Sequence, residues 1–112
     1  MWTYIVTEGT EKRPLFTASS RKKALAAIVR VWDHCPEPKP AQLVIFRFTR
    51  RDPDRWQEIA TVLFLRAGPT DDAEMVLRVN HQYTRRTFPE YSWHISDWHK
   101  GYIEGFLPRA WA

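Results

Sequence analysis

The chain has 112 residues, 44% of them hydrophobic and 14% aromatic, with 17 Lys+Arg against 13 Asp+Glu for a formal net charge of +4. That length holds one domain around one core, and the apolar fraction argues against disorder. The single cysteine, Cys35, excludes an intramolecular disulfide, and the apolar runs Leu43–Phe46 and Val62–Leu65 are far too short to cross a bilayer.

The start, Met1-Trp2-Thr3-Tyr4, lacks the basic and long apolar segments of a secretory signal, so a cytoplasmic location is expected. Residues 2–8 alternate Trp2, Tyr4 and Val6 with Thr3, Ile5 and Thr7, the period-two pattern of a strand. Gly9-Thr10 signals a turn. Residues 13–18 suit a short partner strand, and Pro14, which cannot donate to a ladder, places that strand at a sheet edge.

Ser19 or Ser20 suits a helix N-cap. Ala24, Ala27, Ile28 and Val31 follow at helical spacing, with Leu25, Val29 and Trp32 widening the stripe. The helix must end by Cys35, because Pro36, Pro38 and Pro40 form a stiff connector after it. Residues 42–49 and 56–66 read as two strands of a hairpin, with turn chemistry at Asp52-Pro53-Asp54. On the second strand Trp56, Ala60, Val62 and Phe64 are expected on one face and Ile59, Leu63 and Leu65 on the other. Strands apolar on both faces sit inside a sheet.

Residues 73–84 carry two signals. Asp71-Asp72-Ala73-Glu74 resembles a helix start. The alternation of Met75, Leu77, Val79, His81 and Tyr83 with Arg78, Asn80 and Gln82 favours a strand. Residues 91–95 suit a further short strand. Residues 97–107 suit a last helix, with Trp98, Tyr102 and Phe106 four apart, although Gly101 and Gly105 weaken it. The expected fold is therefore a single α+β domain over residues 1–112. Its antiparallel or mixed sheet has four to six strands and one main helix (about residues 20–35) on one face. The order is ββαββ, followed by a strand or helix. β-Grasp domains share that order of elements, and the similarity is one of order alone.

Few residues suggest catalysis or metal binding. His34 adjoins Cys35, but neighbours in sequence point apart, whereas catalytic partners converge from distant positions. His94 and His99 lie about 140° apart on a helix, or on opposite strand faces, and a zinc site needs converging ligands. The four scattered glycines, Gly9, Gly68, Gly101 and Gly105, cannot build a phosphate loop, and there is no Gly-x-Ser-x-Gly elbow. No enzyme activity, cofactor or metal is expected. An enzyme or metal protein built on the histidines remains the third alternative.

Basic clusters point instead to an anionic partner. Arg21, Lys22 and Lys23 occupy the first helical turn, where cations oppose the helix dipole and a phosphate would reverse that penalty. Arg47, Arg50, Arg51 and Arg55 surround the hairpin, and a basic two-stranded ribbon can follow a phosphate backbone. Arg85 and Arg86 form a third pair. Each cluster also has a plain reading as solvated surface, and Asp52 and Asp54 partly cancel the hairpin's charge. No ribonucleoprotein motif accompanies them.

The C-terminal quarter holds the other concentration, with Trp93, Trp98, Tyr102 and Trp111 as protein-interface candidates. If the helix covers one face of the sheet, either this segment covers the other or a partner does. The expected function is a small non-enzymatic binding protein using its basic, aromatic surface on nucleic acid or a nucleoprotein. The alternative is a protein-interaction module or inhibitor of phage or plasmid type, such as an anti-CRISPR protein, that occludes a larger machine.

Overall fold

The computed structural model describes residues 1–9, 13–68, 70–80, 90–100 and 111. It shows six strands and two helices in the order β1 (Trp2–Glu8), β2 (Arg13–Ala18), α1 (Arg21–Asp33), β3 (Gln42–Thr49), β4 (Asp52–Leu65), β5 (Glu74–Val79), β6 (Glu90–His94) and α2 (Ile95–Lys100). The strands form one sheet in the order β2-β1-β3-β4-β5-β6, antiparallel at every pairing. Because β1 lies between β2 and β3, those two run parallel, and α1 makes the crossover between them. β2 is an edge strand as Pro14 requires, and Pro14 sits at the register shift of the β1–β2 pair. Gly9 turns the chain out of β1 with φ +53°, a conformation glycine adopts without strain.

Ser20 caps α1, its hydroxyl accepting from the Lys23 amide at 3.1 Å. Ala24, Leu25, Ile28, Val29 and Trp32 are buried, so the apolar stripe is centred one position from the expected line, with Ala27 and Val31 at its margin. These side chains lie against Tyr4, Val6, Leu43, Ile45, Ala60, Val62, Phe64, Met75 and Leu77 in one continuous core. Complete burial of a Leu or Ile here contributes about 2 kcal/mol.

At the far end of α1, Lys39 Nζ donates to the carbonyls of Trp32, Asp33 and Cys35 at 3.0, 2.7 and 2.7 Å. One ammonium thus satisfies carbonyls that a helix C-terminus leaves unpaired. Trp32 stacks on Phe64 with ring centroids 4.5 Å apart, and its Nε1 donates to the Pro40 carbonyl at 2.9 Å.

Three expectations need correction. The hairpin turns at Arg50-Arg51, with Thr49 paired to Asp52; Asp52-Pro53-Asp54 begins β4. Pro53 falls where the register shifts between Arg47 and Thr49, so its missing N–H breaks no regular ladder bond. Trp56 lies on the face away from α1, tilted against Phe46 and stacked near Phe48, while Ile59 joins the α1-side core. The cause is a bulge. Ile45 pairs with Ala60 but Phe46 pairs with Glu58, so Ile59 is an extra residue that exchanges the faces. Asn80 binds this bulge, its amide donating to the Ile59 carbonyl and its side chain to the Glu58 carbonyl, both at 2.8 Å.

The third correction concerns the C-terminal rings. Trp98 and Trp111 are 3% and 1% exposed and belong to the α1-side core, with Trp93 packed against it. They extend the layer that α1 begins, and the face behind the sheet carries its own cluster of Ile5, Val44 and Phe46. A six-stranded sheet is wider than one helix, so α2 lies beside α1, joined to it where His99 Nε2 meets Asp33 Oδ2 at 2.7 Å. The strand reading of 73–84 holds over β5, and its positions 81–84 lie outside the described residues. So do residues 101–107 of the expected last helix over 97–107; α2 begins at Ile95, a position expected in the strand, and covers the expected positions 97–100.

Candidate nucleic-acid interface

Strand register decides which charged groups are neighbours. Trp2 pairs with Thr49, Tyr4 with Ala18 and Thr49 with Asp52. The start of β1, the end of β2 and the β3–β4 turn therefore share one end of the sheet. α1 begins three residues after β2 and so presents its first turn at that same end. Arg21, Lys22 and Lys23 are thereby brought together with Arg47, Arg50, Arg51 and Arg55, although the two groups are far apart in sequence. Asp52 and Asp54 are the carboxylates of the hairpin there, and the first turn of α1 contains none.

A groove of about 310 Å³ lies at this end, lined by Met1, Trp2, Thr3, Thr17, Ala18, Ser19 and Arg50. The hairpin contributes Arg50. From the helical side, Lys23 Nζ donates to Ser19 Oγ at 3.3 Å, so a second cation stands at the rim. Arg47 has an internal role: its guanidinium lies 4.1 Å from the Trp2 ring centroid and its Nε donates to Gln57 Oε1 at 2.9 Å. That stack holds the indole on the α1 side of the sheet, where Trp2 packs against the core. Arg50, Arg51, Arg55, Lys22 and Lys23 are exposed and Arg21 is half-buried. Arg85, Arg86 and Tyr102 lie outside the described residues.

The opposite end of the sheet collects carboxylates, and most are engaged. Arg66 Nη2 lies 2.6 and 2.7 Å from the two Glu37 oxygens, which holds the Glu37 carboxyl below its usual range. Asp72 accepts from the Ser96 hydroxyl at 2.7 Å and from the Ser96 amide at 3.0 Å. The hydroxyl bond is the larger cause of its lowered pKa. A second groove, of about 450 Å³, borders Asp72, Glu74, Arg66 and His94.

Ser, His and Asp do meet here, in an order that does not suit nucleophilic catalysis. The Ser96 hydroxyl donates a hydrogen bond to Asp72, and His94 Nδ1 stands 3.7 Å from the same carboxylate. In a serine triad that hydroxyl would instead donate its hydrogen bond to the imidazole. The set instead anchors the start of α2 to the loop before β5.

His34 and Cys35 each serve the end of α1. His34 Nδ1 donates to the Arg30 carbonyl at 2.7 Å, and Cys35 Sγ to the Val31 carbonyl at 3.3 Å. Burial pushes the Cys35 thiol pKa up, away from thiolate reactivity. Among the described residues, no group of three His, Cys, Asp or Glu side chains is placed to hold a metal ion. No helix among the described residues is long and apolar enough to cross a membrane.

Sequence reasoning named every cation of the basic end but left the clusters separate. Trp2, Thr17 and Ser19 have only structural readings in the sequence, as strand residues and a candidate N-cap; their proximity follows from the β1–β2–β3 register. The His99–Asp33 and Arg66–Glu37 contacts span 66 and 29 positions and leave no local signal. Comparison with known proteins gives no match to any family, to any curated protein or to any solved structure.

Proposed function

We propose that this is a small non-enzymatic binding protein whose basic end engages nucleic acid. One observation carries the reading: cations from two distant parts of the chain lie at one end of the sheet, with Arg50 lining a groove there and Lys23 at its rim. Like charges placed together repel and weaken a fold slightly, and a polyanion reverses that cost. Phosphates neutralised by Arg and Lys release counterions, so binding must weaken as salt rises. The protein-interface alternative loses Trp98 and Trp111 as contact residues, because both rings are internal to the domain.

The test is an anisotropy titration with labelled DNA and RNA, single- and double-stranded, at low and at physiological salt. If Arg50, Arg51 and Lys23 each neutralise one phosphate, the slope of log K against log salt is about −2 on a single strand and about −3 on a duplex. The double variant Arg50→Glu/Arg51→Glu should abolish binding at physiological salt. Absence of binding at low salt would refute the reading, as would full affinity in the double variant.

A further inference from the structure

We propose that the outer edge of β6 pairs antiparallel with β6 of a second copy, so that two domains share one continuous sheet through a two-fold interface centred on Ser92.

The two edges of the sheet differ. β2 begins with Arg13-Pro14, so its edge carries the charge and the missing N–H by which edge strands discourage pairing. β6 ends the sheet on the other side among the described residues and contains neither proline nor lysine. The helix that follows leaves this edge clear. α2 turns back over the α1 face, where Trp98 is in the core and His99 meets Asp33.

One bond fixes the direction of the backbone groups. The Ile95 amide donates to the Ala73 carbonyl at 2.8 Å and continues the register in which Met75 pairs with Trp93 and Leu77 with Tyr91. Amide and carbonyl directions alternate along a strand. Those of Tyr91 and Trp93 therefore point at β5, and those of Glu90, Ser92 and His94 point outward. A row of outward N–H and C=O groups is a template for another strand.

The order of these residues is self-complementary. In an antiparallel pairing centred on Ser92, Ser92 faces Ser92 of the second copy and Glu90 faces His94 at both ends. Every outward residue is then matched, and each matched pair exchanges two hydrogen bonds. Sliding by two residues is the smallest slip that keeps outward groups opposed, and it leaves one end of each strand unpaired. The side chains favour the centred register on both faces. Behind the sheet, Arg78 Nε donates to Glu90, and Glu74 lies opposite His94. Pairing sets Glu90 beside His94 of the second copy and completes a row of Arg78, Glu90, His94 and Glu74, whose signs alternate when the imidazole is charged. His94 approaches Asp72 through Nδ1 at 3.7 Å, which leaves Nε2 to meet the new carboxylate. On the α1 face, Tyr91 and Trp93 are half-buried and stacked with centroids 6.4 Å apart, and each gains the other as a cross-strand neighbour. Because both copies use the same patch, the assembly closes at two.

The experiment is sedimentation velocity of the full chain, freed of nucleic acid, from about 10 μM to about 1 mM. The mass should rise from one chain to two and stop. Ser92→Pro removes an outward N–H and leaves the β5–β6 ladder intact, and far-UV circular dichroism checks its folding. It should weaken association at least about tenfold. Should it fail to fold, residue-resolved amide hydrogen exchange of the unaltered chain at two concentrations replaces it, with the added protection expected at Glu90, Ser92 and His94. A single chain at every concentration, growth beyond two, undiminished association in Ser92→Pro, or added protection confined to other amides would overturn the proposal.

Discussion

Trp32 joins α1 to the sheet, and replacing it by alanine tests how the domain is held together. Its side chain is 4% exposed. One face stacks on Phe64 at a centroid distance of 4.5 Å and an interplanar angle of 7°. Lys39 Nζ and Arg66 Cζ stand 5.1 and 5.4 Å from the ring centroid. Removing a buried indole costs about 3–5 kcal/mol through lost transfer energy and the cavity left behind. The Pro40 carbonyl also loses the donor that meets it at 2.9 Å, a further cost of about 1 kcal/mol. These contributions are not additive, and a net loss of about 4 kcal/mol is expected. For a slope near 2 kcal/mol/M, the urea midpoint falls by about 2 M. Trp32→Phe keeps a stacked ring and loses the hydrogen bond, so it should lose about 1–2 kcal/mol. Urea unfolding followed by far-UV circular dichroism measures both without relying on tryptophan emission. A loss below about 1 kcal/mol in Trp32→Ala would refute the packing argument, because a buried, stacked indole cannot be removed that cheaply.

Two further expectations concern the opposite end of the sheet. Asp72 has its pKa lowered by the Ser96 hydroxyl, so its contribution is present above the unfolded carboxylate value, about 3.9, and is lost as pH falls through the folded value. Glu37, lowered chiefly by its hydrogen bond with Arg66, acts with the same sign. The thermal midpoint should therefore fall with acid below about pH 4, and Asp72→Asn should flatten part of that fall; identical profiles would disprove the anchoring role. The Cys35 thiol, raised in pKa by burial and donating to Val31, should react with an aromatic disulfide reagent at least about tenfold more slowly in the folded chain than in urea. Equal rates would place that thiol in solvent.

Most of the fold can be read locally because its elements carry clean periods. Trp2, Tyr4 and Val6 alternate as the helix-facing row of β1, and Met75, Leu77 and Val79 do the same in β5. The prolines at 36, 38 and 40 end α1 on schedule. What escaped is non-local. The extra residue Ile59 cannot be seen in β4 alone, since a bulge is defined by the partner strand; it sends Trp56 to one face and Ile59 to the other. Trp98 and Trp111 have the composition of a binding surface and the position of a core, and only the width of the sheet decides between them. At the candidate site, each basic cluster could be listed from the sequence. Their meeting could not, because it depends on β1 lying between β2 and β3.

That topology also gives the charge pattern a direction. α1 crosses from the end of β2 to the start of β3, so its N-terminus lies with the hairpin cations and its C-terminus with Glu37, Asp33 and Asp72. The partial positive charge of the helix N-terminus adds to Arg21, Lys22 and Lys23. At the far end Arg66 engages Glu37, His99 engages Asp33 and Ser96 engages Asp72. Among the described residues, Asp52 and Asp54 are the carboxylates that offset the field of the basic end, while these at the far end are held in local contacts. On the proposed reading, a polyanion is steered toward Arg50 and Lys23 before contact, and the expected outcome is an association rate that falls with ionic strength along with the affinity. Rate and affinity sharing one salt dependence would mark a surface that both steers and holds its ligand.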